Sequence, residues 1–127
     1  MPAYSASKAG YAINPGDSST VWNAESPATG AASQQVSIAN PYNQGNADLS
    51  VEIAFSGDPG TCQIDLQEAD TDTDASYVTN PNFTLTNSSL NAGFVGRAEG
   101  PVQAKFARLI MTNDPANAVT VTAKISR

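Results

Sequence analysis

The acidic run Asp70, Asp72 and Asp74 is where residue type and spacing first suggest chemistry. Alternate aspartates open the loop of an EF-hand, where each carboxylate offers a hard oxygen to calcium. The remainder departs from that pattern: the turn glycine would fall at Ala75 and the bidentate glutamate at Pro81. A solvated acidic loop is the simpler reading, and no metal is assigned. Asp65 and Asp70 form the sort of carboxylate pair a glycosidase uses, but any acidic chain offers such pairs. Histidine, the usual proton shuttle near neutral pH, does not occur in the chain. Cys62, the single cysteine, therefore has neither an imidazole nor a disulfide partner within the chain. Its phase with Ile64 and Leu66 makes it a small buried hydrophobe. No GxSxG elbow, Walker loop or dinucleotide fingerprint is present. The expectation is a protein that is not an enzyme and has no cofactor. Trp22 reads first as a core or sheet-edge residue; with Tyr42 and Tyr77 it would serve a carbohydrate site only if the three rings were grouped on one accessible surface.

The elements that position these residues are strands. In 47–56, Ala47, Leu49, Val51, Ile53 and Phe55 alternate with polar or small residues. In 62–67, Cys62, Ile64 and Leu66 alternate with Gln63, Asp65 and Gln67. Period two means one wet face and one dry face. Gly57, Asp58, Pro59 and Gly60 lie between the arms, so 47–68 reads as an antiparallel hairpin. A hairpin of this size does not stand alone, and a second sheet must cover its dry face. Shorter strands are expected at 19–23, around Trp22, and at 34–39, around Val36 and Ile38. Two more flank Pro81, at 76–79 and 82–86, and 90–96 reads as a loop. A strand at 102–112 is apolar on both faces, which suits a central position. Within it, Arg108 interrupts the face of Phe106 and should reach a carboxylate or the rim. The stretch 118–126 alternates again and is expected to close a final hairpin with 102–112. The fold class that follows is all-β: an antiparallel β-sandwich of the jelly-roll kind. It would occupy residues 19–127 as one domain, preceded by an extended N-terminal arm at 1–18.

That arm holds Tyr4, Tyr11 and Ile13, which are the candidate anchors on a neighbouring molecule. The charge is uneven. Residues 1–96 carry one base against ten acids, a net of −9; residues 97–127 carry five bases against two acids, a net of +3; the whole is −6. An acidic body repels phosphate, so nucleic acid is not an expected partner. Arg97 and Arg108 are the candidate interaction residues of the basic third, through charge matching between copies in an assembly. No apolar run approaches a membrane span and no secretory signal is visible, so synthesis in a cytoplasm is expected.

One resemblance adds to this reading. The stretch TCQIDLQEADTDTDASY, followed after NAGF by PVQAKFARLIMTN and then by VTVTAKIS, resembles the small β-sandwich cement or decoration proteins of tailed-bacteriophage capsids. It spans roughly 47–127. It implies a virion protein, made in the host cytoplasm, that binds the major capsid protein on the outer shell, often as a homotrimer, and clamps neighbouring coat subunits. No site residue carries over. The KFARLIMT pattern is also similar to strands of discoidin-like, galactose-binding sandwiches, and implies the alternative of a carbohydrate-binding module of a phage tail or fibre.

Overall fold

Residues 13–38, 47–90 and 93–127 are described by the computed structural model. They form eight strands: β1 (Ser18–Glu25), β2 (Val36–Ser37), β3 (Ala47–Phe55), β4 (Gln63–Ala69), β5 (Val78–Thr86), β6 (Val95–Val102), β7 (Phe106–Asn113) and β8 (Val121–Ser126). Two short 3₁₀ turns, Asp74–Ser76 and Asn87–Ser89, interrupt the connections. The strands lie in two four-stranded antiparallel sheets, ordered β1-β8-β3-β6 and β2-β7-β4-β5. The all-β sandwich expected from the alternation is the fold observed.

The dry faces meet between the sheets. Leu49, Val51, Ile53 and Phe55 of β3 are buried against Ile64 and Leu66 of β4, Leu109 and Met111 of β7, and Val121 and Ile125 of β8. Cys62 joins them, and burial pushes its thiol above the ordinary value.

Connectivity corrects two expectations. β3 and β4 are not a hairpin: they belong to opposite sheets, and residues 56–62 arch from one to the other. The same holds for β7 and β8, joined by residues 114–120. The dry faces of two strands can pair edge to edge over a third layer or face each other across a core about 10 Å thick. Alternation within each strand is identical in both cases. The arches dock on one another instead: Ser56 N donates to Thr120 O at 2.9 Å, and Asn117 N donates to Pro59 O at 3.2 Å. β4 and β5 are consecutive strands paired in one sheet, joined across the acidic loop.

Three element boundaries also differ. Val95–Val102, read as part of a loop and the start of the next strand, is the edge strand β6, in register with β3 from Ala47↔Val102 to Ala54↔Val95. Its glycines disguised it, and packing requires one of them: a Cβ on Gly96 would lie 3.1 Å from Leu90 Cδ2 and 3.4 Å from Ile53 Cγ1. The stretch 102–112 is split, because residues 103–105 turn the chain from β6 into β7. The two short strands around Pro81 run on as one edge strand, β5, but its ladder to β4 is interrupted at the proline: Asn80 pairs with Leu66, and the next pair is Leu85 with Ile64.

The proposed boundary between arm and domain at residue 18 also moves. Ile13 is fully buried in the sandwich core, and its N–H donates to Ser37 O at 2.9 Å. It is therefore a core residue of this molecule and not an anchor on a neighbour. Tyr4 and Tyr11 lie outside the described residues.

Candidate functional site

The sequence candidates fall on opposite faces. Arg97 is on the outer face of the first sheet and Arg108 on that of the second. Among the described residues no single site collects Arg97 and Arg108.

On the first sheet, strand register lines side chains into rows, because residues in register across antiparallel strands share a face. One row runs Thr20, Lys124, Glu52, Arg97 across all four strands. Glu52 lies between two bases and ion-pairs with Arg97. The adjacent row is Ser18, Ser126, Ser50, Glu99. Short serines beside long charged residues leave a shallow cavity of about 450 Å³ lined by Ser50, Glu52, Arg97, Glu99 and Ser126 among others. Pairs this exposed are worth about 0–1 kcal/mol to the fold, so the row is free to exchange partners with another surface.

The second sheet uses its outward polar groups internally. Arg108 reaches a carboxylate, as expected: its Nη1 donates to Asp74 Oδ1 at 2.6 Å and its Nε to Gln67 Oε1 at 3.0 Å. Its guanidinium also lies 3.9 Å from the centroid of the Tyr77 ring. Tyr77 donates from its hydroxyl to Asp72 Oδ1 at 2.7 Å, and Gln35 Nε2 donates to Asp72 Oδ2 at 2.9 Å. Burial, with the hydrogen bond to Asp72 next, holds the Tyr77 phenol well above its ordinary range. Together these contacts fold the acidic loop back over sheet two. Asp72 and Asp74 thus latch the loop, while Asp70 is exposed beside them. Among the described residues no group of three or more acidic, cysteine or histidine side chains is placed to hold a metal ion.

Asp65 was read as a wet-face carboxylate, yet it is only 4% exposed. Thr84 and Thr112 hydroxyls donate to it at 2.6 and 2.5 Å, and Gln63 Nε2 at 2.9 Å. Glu68 does similar work, accepting from the backbone of Gln103 and Ala104 and from Asn80 Nδ2. Gln63 lies on the same strand as Asp65, but the other partners come from other strands or from the turn at 103–105, so β4 alone does not show these roles.

The rings proposed for a sugar platform do not form one. Trp22 is 2% exposed and in the core, Tyr77 is 7% exposed beneath the loop, and Tyr42 is outside the described residues. Trp22 is inward because the β1–β8 register slips between Thr20 and Trp22, which turns Val21 and Trp22 both to the core.

Compared with known protein families, with curated proteins and with solved structures, the chain matches none of them.

Proposed function

We propose that this protein is a structural virion component, a cement or decoration protein that binds the outer face of a capsid and stabilises contacts between coat subunits. The observation that carries this reading is the division of polar groups. Of the buried and partly buried ones, Asp65, Asp72, Glu68 and Arg108 are bonded within the fold, while Gln34 Oε1 and Gln35 Oε1 have no partner. The outer face of the first sheet keeps rows of serine, lysine, glutamate and arginine turned to solvent. Such a face suits wet, mixed-charge contacts repeated many times over a shell, where avidity adds up modest individual affinities. The resemblance of 47–127 to capsid cement proteins points the same way. On this reading the strand order, one-eight-three-six against two-seven-four-five, is that of a jelly roll. The partner is the major capsid protein, the active form is a homotrimer, and the place of action is the capsid surface.

The test is to mix the purified protein with emptied shells of tailed phages and measure co-sedimentation and resistance of the shells to heat. Saturable binding at a fixed copy number with raised shell stability is expected, weakened by Arg97→Glu. Deleting residues 1–12, which leaves Ile13 in place, should lower occupancy and leave the melting curve intact. Shells that take up no protein, or that take it up with no gain in stability, would remove the proposal.

A further inference from the structure

At the end of the sandwich where the β1–β2 connection meets both arches, a groove of about 440 Å³ opens to solvent. Pro27, Ala28, Pro115 and Val119 give it an apolar wall, and Glu25 and Asp114 bring the two carboxylates. No base lines it. Its walls are tied together by Ser26 Oγ, which donates to Val119 O at 3.1 Å.

Glu25 is brought there by a distortion. β1 carries one extra residue opposite β8 between Trp22 and Glu25, and Ala24 adopts φ 52°. A non-glycine residue in the left-handed region is unfavourable by about 1–2 kcal/mol. It is held by Ala24 N donating to Thr122 Oγ1 at 3.1 Å and Asn23 N donating to Glu25 Oε2 at 3.2 Å. Bulges of this kind re-aim a side chain. On the second arch, which also lines the groove, Asp114 N donates to Thr29 Oγ1 at 2.9 Å, while its carboxylate has no hydrogen-bond or ion-pair partner among the described residues.

We propose that this groove binds a lysine- or arginine-bearing segment of a partner protein, with the cationic head between Glu25 and Asp114 and a neighbouring apolar side chain against Pro27, Pro115 and Val119. Charge complementarity selects the occupant. Two carboxylates without a base, on a chain of net charge −6, exclude phosphates and acidic peptides. The apolar wall and the volume exceed what a lone ammonium ion would fill. The rigid prolines keep the site formed before binding. This proposal is independent of the capsid reading, since it needs no shell.

The experiment is a selection of random heptapeptides on the immobilised full chain, run in parallel on Glu25→Gln/Asp114→Asn and on Asp114→Asn alone. Enriched peptides are then titrated by fluorescence anisotropy at low and high salt and mapped by amide NMR. The wild type should enrich Lys or Arg beside Pro, Val or Leu. The double substitution should weaken the enriched peptide about tenfold, with the single one intermediate and all three melting curves alike. High salt should weaken binding to the wild type most. Enrichment of no motif, an acidic motif, affinity unchanged in the double variant, shifts confined to sheet faces, or equal affinity for arginine amide alone would each overturn the proposal.

Discussion

Asp65 and Tyr77 show how far a side chain's role depends on neighbours that local sequence does not supply. Asp65 stands at a polar position of an alternating strand, where a solvated carboxylate is the natural expectation. Thr84 from β5 and Thr112 from β7 close over it, and a carboxylate with three donors tolerates burial that an unpaired one would not. Tyr77 looked like a free ring after an acidic loop and is instead packed under Arg108 and bonded to Asp72. Because the phenol is held above its ordinary value of 10.0, the folded state prefers it protonated. Its stabilisation is therefore complete below pH 10.0 and is lost as pH rises through the folded-state value. Following tyrosinate absorbance during an alkaline titration, we expect a late step above the ordinary tyrosine range, together with loss of stability. Tyr77→Phe should abolish the late step. All tyrosines ionising within the ordinary range, with the fold intact, would contradict this.

At the scale of elements, strands were legible and their partners were not. Alternation in 47–55, 63–67 and 121–125 identifies strands because it reports which side of the chain is dry. It is silent on whether the next strand lies beside it or across the core. Gly60 carries the consequence. It has φ 65°, and a Cβ there would meet Ala116 Cβ at 3.1 Å and Asn117 Nδ2 at 3.2 Å in the other arch. In an isolated hairpin only the φ penalty would apply; between docked arches the contact adds to it. Gly60→Ala should lower stability by about 1–3 kcal/mol in urea denaturation. An unchanged midpoint would mean that the arches do not pack this tightly. β6 is hidden in the sequence for the opposite reason. Two glycines and a proline argue against a strand locally, and pairing with β3 and close packing on Leu90 and Phe83 override them.

For the whole molecule, the sandwich is sealed partly by Arg127. Arg127 donates its N–H to Asp17 O and accepts from Gly16 N, both at 2.9 Å, and its guanidinium donates to Ile13 O at 3.2 Å and Ile38 O at 3.4 Å. Removing Arg127 alone should therefore lower stability by about 1–3 kcal/mol, since several partly buried acceptors lose their donors together. Chemical denaturation with and without that residue checks this, and equal midpoints would refute the seal. The amino-acid sequence by itself determined the class of fold, the buried faces of β3 and β8, the burial of Cys62 and the ion pairing of Arg108. Each is a local matter of which side chains avoid water and which charge must find a partner. Tertiary structure alone decided that the apparent hairpins are arches, that Ile13 and Tyr77 face inward, and that Glu25 and Asp114 share a groove. Those facts depend on which strands become neighbours, and that choice is made by burying all the dry faces at once, which no single stretch of chain records.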